Sequence, residues 1–395
     1  MSEFVIGGRP YNIATPLGVG AQSQVYAVDG DRVAKVYREP DADRTRRLML
    51  MMEAFNADQF VQPTTNHSIC IWPEQVVTDP AGTVIGYAMQ RIGGHPMSTL
   101  FEHGARLRAF ANKDWKFLLT VVNNLALTVR VLHDYDIVVG DIAPSNAYVS
   151  ATGLVSLLDC DSFQFSHGGV FFPCETLTPD YGAPELVVAQ SGPRSLATDR
   201  FSLAVLVCQL LLCGDHPFQG FPTRELDDDP SPETNIIYGI TAVTDPSAVD
   251  LPAEAVSCDI LPPGVRDLAR QAFGSGHTAI DRRPAAEEWY AALDEAWNDV
   301  RTCSVRPGHT YSGHLAECPW CARGRAGLFD PFPSLTGPRQ RVTQTGPATW
   351  PTTAPQPPSQ PQSQLQPQSK SRKPILIGAL VLVLLIVILI GIVAP

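Results

Sequence analysis

The sequence lacks a positively charged body. Its 395 residues carry a net charge of −11. Residues 331–373 hold five basic side chains (Arg339, Arg341, Lys370, Arg372, Lys373) and no acidic one, and the last 22 residues are uncharged, so residues 1–330 carry −16. An extended nucleic-acid surface needs clustered Lys and Arg to neutralise phosphates, and no nucleic-acid partner is expected. A nucleotide pocket survives this exclusion, because a few donors and a divalent cation suffice. A disulfide framework is also missing. Six of the nine cysteines (Cys70, Cys160, Cys174, Cys208, Cys213, Cys258) stand singly in mixed or apolar sequence, which reads as buried thiols in a reducing compartment. Met1–Pro10 contains Glu3 and no apolar core of a secretory leader.

Long apolar runs are absent until the end. There, Ile375 to Ala394 are all apolar or Gly, twenty positions, enough at about 1.5 Å per residue to cross the roughly 30 Å hydrocarbon layer. Lys370, Arg372 and Lys373 precede the run and favour keeping the N-terminal side in the cytoplasm. The expectation is a single-pass cell-membrane protein with a cytoplasmic N-terminal body and a transmembrane helix over 374–395; a buried core helix is the alternative. Residues 331–373, with ten Pro and eight Gln, cannot build a core and read as part of an extended linker over 326–373. Pro355, Pro357 and Pro358 match a ligand for proline-recognising modules only loosely.

Upstream, the pattern divides. Val25–Val28 and Val33–Tyr37 flank a Gly30-Asp31 turn, a hairpin signal. Residues 43–56 predict a helix, and Ile69–Trp72 and Val84–Met89 predict strands. After Gly93-Gly94 the periodicity turns helical, over Trp115–Tyr135, Arg200–Leu212, Val265–Phe273 and Ala285–Trp297. A small, mostly β lobe over 9–92 followed by a larger helical lobe over 93–298 is the α+β architecture this order suggests.

Several residues in this frame carry chemistry. Gly18, Gly20 and Ser23, ahead of Val25, let a β-turn-β approach phosphates closely. Lys35 shares a strand face with Val33 and Tyr37. An inward lysine needs a negative partner, whereas an edge lysine would snorkel to solvent. Asp141 and Asn146 lie in Gly-Asp-Ile-Ala-Pro-Ser-Asn, and Asp159 lies between Leu158 and Cys160. These are hard oxygen donors at the ends of short apolar segments, the type that binds a divalent ion on polyphosphate.

Together, from about Tyr11 to Trp297, these motifs resemble the eukaryotic-type Ser/Thr protein kinase family, in a bilobal fold. Asp159-Cys160-Asp161 in place of Asp-Phe-Gly resembles an atypical bacterial subgroup. The resemblance implies ATP and Mg²⁺ (or Mn²⁺), with Lys35 on the α- and β-phosphates and Glu53 holding Lys35. It implies Met89 as gatekeeper before the hinge Gln90-Arg91-Ile92, Asn146 and Asp159 as metal ligands, and Asp141 as the catalytic aspartate. Thr178 and Ala183-Pro184-Glu185 fit the end of the activation segment and imply a protein substrate. Asp199 opens the buried central helix, and Arg283 pairs with Glu185. Several positions depart from the family: Ser23 replaces the third loop glycine, Val139-Gly140 replaces His-Arg, Ala143 replaces a lysine, and Asp161 replaces glycine. Without that arginine, control by segment phosphorylation loses its docking charge. Asp161 reads either as a second carboxylate near the metal or as a solvated turn residue. The function implied is phosphorylation of protein Ser/Thr hydroxyls by a membrane-tethered kinase, steered by cytosolic partners. The alternatives are a nucleotide-binding pseudokinase scaffold and phosphotransfer to a small molecule.

One cluster stands outside these motifs. In 299–325, Cys318 and Cys321 have the two-residue spacing that lets both thiolates reach one tetrahedral ion, with Cys303 and one imidazole completing it. His309 is preferred to His314. A structural Zn²⁺ is expected there; a disulfide or unconnected thiols are the alternatives. Trp320 and Tyr311 could present a docking surface.

Overall fold

The computed structural model describes residues 3–333. The greater part of the expected linker and all of the expected transmembrane segment lie outside them.

The chain opens with β1 (Glu3–Ile6), β2 (Arg9–Asn12), β3 (Gly18–Val19), β4 (Ser23–Ala27) and β5 (Arg32–Tyr37), followed by helix α1 (Ala42–Ala54), β6 (Gln75–Thr78) and β7 (Val84–Gln90). These strands make one antiparallel sheet in the order β2-β1-β6-β7-β5-β4-β3. The sheet begins at Glu3, ahead of the expected boundary at residue 9, because Phe4 and Ile6 fill its core. The β4–β5 hairpin turns at Gly30, whose φ of +62° suits a residue without a Cβ. At Gly86 a Cβ would stand 2.0 Å from the Lys35 carbonyl oxygen, so only glycine admits the close β5–β7 approach at this point.

Register sorts the two faces. Tyr26, Ala34, Val36 and Ala88 point to one side and pack with Phe4 and Ile85. Val25, Lys35 and Tyr87 are cross-strand partners on the other side, as are Ser23 with Tyr37 and Val33 with Met89. Leu48 of α1 covers this second face against Tyr37 and Tyr87. Asp41 caps α1 by accepting from the Arg44 N–H at 2.7 Å.

Ile69–Trp72, expected as a strand, is not one. All four residues are buried, and they bridge to the second lobe: Ile71 N donates to Leu157 O and Leu157 N to Ile69 O, each at 2.9 Å. The apolar run is buried at the junction of the lobes and pairs only as an isolated parallel bridge, Cys70 with Leu157, not as a full strand.

The second lobe contains β8 (His95–Pro96), α2 (His103–Ala109), α3 (Trp115–Asp134), β9 (Ala147–Val149), β10 (Val155–Leu157), β11 (Phe165–His167), β12 (Val170–Phe172), α4 (Pro184–Ala189), α5 (Leu196–Leu211), α6 (Pro263–Phe273) and α7 (Ala286–Asn298). Helix α3 is apolar and long enough to cross a bilayer, yet it packs on α5 and α7 in the core. Almost every residue of α5 is buried, so it shows little amphipathic contrast.

A final unit follows α7: the hairpin β13 (Val300–Thr302) and β14 (Thr310–Ser312), then α8 (Pro319–Arg325). It joins the main core through Cys303, Cys318, Trp320 and Phe332. Ordered packing therefore runs past residue 325, where the linker was expected to begin: Arg106 donates to Pro331 O at 2.7 Å and lies over the Phe332 ring.

Candidate functional site

Beneath the β3–β4 turn lies a cleft of about 370 Å³, lined among others by Gly20, Ser23, Lys35, Asp141, Asn146 and Asp159. Six of the expected residues thus converge. Gly18, Val25 and Met89 do not line this cavity. Gly18 and Val25 pair across β3–β4, and Met89 packs beside Tyr87 on the same sheet face.

Backbone constraints deliver the polar groups. Asp199, at the start of α5, accepts from the N–H groups of Val139 (2.7 Å) and Gly140 (2.8 Å), with His133 Nε2 3.1 Å away. These bonds hold the loop that presents Asp141. Gly140 has φ +80°, and a Cβ there would come 2.5 Å from that of Cys174. The family's arginine therefore has no room at this position, and the activation segment packs into the space it would take. Asp141 Oδ1 accepts from Thr178 N at 2.8 Å, and Asn146 Nδ2 donates to Asp141 Oδ2 at 3.2 Å. Ala143, in place of a lysine, is wholly buried. Asp159 has the left-handed φ of +55°, which turns the chain sharply into Cys160–Ser162.

Lys35 finds its negative partners in this turn. Its Nζ donates to Asp161 Oδ1 at 2.7 Å and to Asp159 Oδ1 at 3.0 Å. Burial by itself would depress the ammonium, but the two carboxylates overcome it and the Lys35 pKa is raised. Asp161 also accepts from Tyr87 OH (2.8 Å) and Tyr37 OH (3.0 Å). Burial would raise this carboxyl; Lys35 and the two hydroxyls reverse that, leaving its pKa below the usual carboxylate range. Burial and the Asp161 charge push the Tyr37 phenol up, so it remains a donor.

Glu53 is a correction. It was expected to hold Lys35, but its side chain is 69% exposed and lies 3.7 Å from His167 Nε2. The inward stripe of α1 runs through Arg47, Leu48 and Met51, with Leu48 and Met51 fully buried. Glu53 falls off that stripe. Asp161 is not a solvated turn residue: its side chain is only 14% exposed, and it accepts from Lys35, Tyr87 and Tyr37. Sequence reasoning missed its role, although the inward Tyr37, two residues from Lys35, needed an acceptor.

The activation segment is tied down by arginines. Arg47 Nη1 donates to Pro173 O at 2.9 Å and its Nη2 to Phe163 O. Arg194 Nη2 donates to Thr176 O at 2.9 Å. At the far end, Arg283 grips Glu185 through two bonds of 2.7 Å, its side chain fully buried.

The Cys/His cluster assembles in the final unit. The ligand atoms of Cys303, His309, Cys318 and Cys321 all lie within 4.8 Å of one another. Cys303 Sγ and Cys321 Sγ are 3.7 Å apart, and His309 Nδ1 is 3.5 Å from both Cys318 Sγ and Cys321 Sγ. Tetrahedral Zn²⁺ with Zn–S of about 2.3 Å and Zn–N of about 2.0 Å requires S···S near ~3.8 Å and S···N near ~3.5 Å. His309 Nε2 faces Asp330 Oδ2 at 3.0 Å and Phe332 O at 3.1 Å. Two such acceptors place the proton on Nε2 and free Nδ1 as a ligand. Val305 N and Arg306 N each point at Cys303 Sγ from 3.4 Å. His314 turns away to Ser312 Oγ and Asp259 O. Trp320 cannot dock a partner: it is fully buried, donates to Thr310 O at 2.7 Å and packs on Phe332. Tyr311 is half-buried.

Comparison with known proteins adds an independent line. The family described as "Protein kinase domain" matches residues 11–257. Similar proteins include protein kinase YegI of Escherichia coli O157:H7, 30% identical over 79% of this chain and 49% of the relative. The YegI protein of Escherichia coli K12 is 29% identical over 82% and 51%, and the serine/threonine-protein kinase PknA of Corynebacterium glutamicum is 27% identical over 54% and 45%. The chain spans about half the length of the curated relatives it matches. The match runs from β2, through the cleft, to the loop before α6, and the chain belongs to the protein kinase domain family.

Proposed function

We propose that this chain transfers the γ-phosphate of ATP to Ser or Thr hydroxyls of proteins. The observation that carries the reading is the convergence of Lys35, Asp141, Asn146 and Asp159 on one cleft beneath the Gly20–Ser23 turn. Lys35 carries a charge suited to the α- and β-phosphates. Asn146 and Asp159 offer hard oxygens of the kind Mg²⁺ takes, and Asp159 is 57% exposed with one carboxylate oxygen unengaged. Bound Mg²⁺ would neutralise charge on the transferring phosphoryl group. Asp141, held by Thr178 N and Asn146, orients the acceptor hydroxyl and takes its proton. The resemblance makes Thr178 and Ala183-Pro184-Glu185 part of the segment that shapes a peptide platform, which favours a protein acceptor over a metabolite.

The test is phosphate transfer from labelled ATP to an added protein by the full chain. The parent should transfer, and Asp141→Ala should lose about 10³-fold, within the range ascribed to a positioned general base. Equal, Asp141-independent incorporation would contradict the reading. ATP binding without transfer would leave the pseudokinase scaffold as the better description.

The Cys303/His309/Cys318/Cys321 cluster is proposed to hold one structural Zn²⁺. Its spacings fit the ion, and four protein ligands leave no open position for chemistry. Residues 375–394 are proposed to anchor the chain in the cell membrane with the kinase domain cytoplasmic. This rests on the length of the run and its basic flank. Deleting them should move the protein from the detergent-requiring to the soluble fraction; a full chain soluble without detergent would contradict the anchor.

A further inference from the structure

We propose that Asp161, not a glutamate of α1, is the positioning residue for the nucleotide-binding lysine, so that the Lys35 ion pair is built into the activation-segment turn and needs no carboxylate from α1. This deepens the ATP reading and rests on it for the role of Lys35.

Three observations carry it. The first is triple engagement: Asp161 Oδ1 accepts from Lys35 Nζ and Tyr87 OH, and Oδ2 accepts from Tyr37 OH, at 2.7–3.0 Å. Its side chain is only 14% exposed. A carboxylate with three of its four lone-pair sites so engaged is held as an anchor, even though it lines the cleft. The second is the contrast with Asp159, which also touches Lys35 but is 57% exposed and keeps Oδ2 free. When phosphate and metal enter, Asp159 can swing to the metal while Asp161 stays on the lysine. The third is the vacancy of the usual arrangement. Glu53 faces outward, and Leu48 fills the inward α1 position against Tyr37 and Tyr87. The two tyrosines stand on β5 and β7, so side chains of the sheet, rather than a glutamate of α1, fix the geometry of the pair.

The consequence is functional. Turning a glutamate of α1 outward cannot break this ion pair, because its acceptor comes from the activation-segment turn; α1 bears on the pair through Leu48, packed on the two tyrosines, and Arg47, bonded to Phe163 O.

The experiment measures Mg·ATP affinity by titration, together with the transfer assay, in the full chain. Asp161→Asn should weaken ATP binding roughly tenfold, the scale of one charge-assisted hydrogen bond, while the KM for the protein acceptor stays at the parental value. Glu53→Gln should bind and transfer like the parent. In a Lys35→Met background Asp161→Asn should add nothing further, a non-additivity that a general folding defect would not produce. Should Asp161→Asn fail to fold, Tyr37→Phe carries the test, with a loss of about threefold from one neutral hydrogen bond. Parental affinity in Asp161→Asn or, where that variant does not fold, in Tyr37→Phe overturns the proposal, as does an equal loss in Glu53→Gln or full additivity with Lys35→Met. Because binding is read separately from transfer, a chain that binds ATP and transfers nothing contradicts the kinase reading alone.

Discussion

The cleft and the Cys/His cluster are both sets of polar groups brought to one point, but they are assembled over different distances. Lys35 meets Asp161 across 126 positions of sequence, and Asp141 meets Thr178 across 37. The four residues of the cluster span 303–321. In the cluster, one hairpin and one short helix place every ligand, so residue spacing nearly dictates the geometry. In the cleft, each partner arrives on a different element, and the choice of partner depends on which face of α1 turns inward. The contrast teaches that local spacing predicts a site's geometry, whereas a long-range site is legible only as a set of residues, not as a set of pairs.

Metal removal probes the local site and should have the largest effect. Prolonged chelation, or Cys318→Ser, should release about one Zn²⁺ per chain. It should also expose Trp320, because metal ligation is coupled to folding by about 10–16 kcal/mol in small isolated zinc domains. Tryptophan fluorescence and metal analysis would read both changes. Parent protein that contains no zinc yet resists heat normally, with Cys303, Cys318 and Cys321 all open to a thiol reagent, would erase the contrast by removing the metal from it.

The second probe is of the long-range kind. Arg283 and Glu185 are 98 positions apart, and among the described residues the fully buried guanidinium pairs with no other carboxylate. Arg283→Ala should cost about 3 kcal/mol, the low end for a broken buried pair, because Glu185 is 36% exposed and can rehydrate while the buried guanidinium site is emptied. It would be seen as a lowered denaturation midpoint with an unchanged metal content. An Arg283→Ala protein that melts like the parent would show that long-range pairs in this lobe are dispensable. It would sharpen the comparison in favour of the cluster.

The architecture was largely legible. A β hairpin at Gly30, a buried α5 and amphipathic helices over 263–273 and 286–298 follow from periodicity and turn residues. Ile69–Trp72 misled because continuous burial at a lobe junction has the composition of a strand. Glu53 misled because the resemblance supplied a partner for Lys35 without testing the stripe of α1. Arg47, Leu48 and Met51 share one face, and Glu53 does not. Asp161 was visible as a departure, but its role was not, since it needed Tyr87, which lies 74 residues away and on another strand. Trp320 was read as a surface residue because the core it enters is built by Thr310 and Phe332, and Phe332 was assigned to the linker.

The central claim is that the cleft divides phosphotransfer between an acceptor side at Asp141 and a nucleotide side at Asp159, and titration of Mg·ATP against two variants tests it most directly. Asp141→Ala should bind Mg·ATP with parental affinity while losing transfer, and Asp159→Asn should lose Mg²⁺-dependent binding and transfer together. Equal loss of nucleotide affinity in both variants, or in neither, would contradict that division.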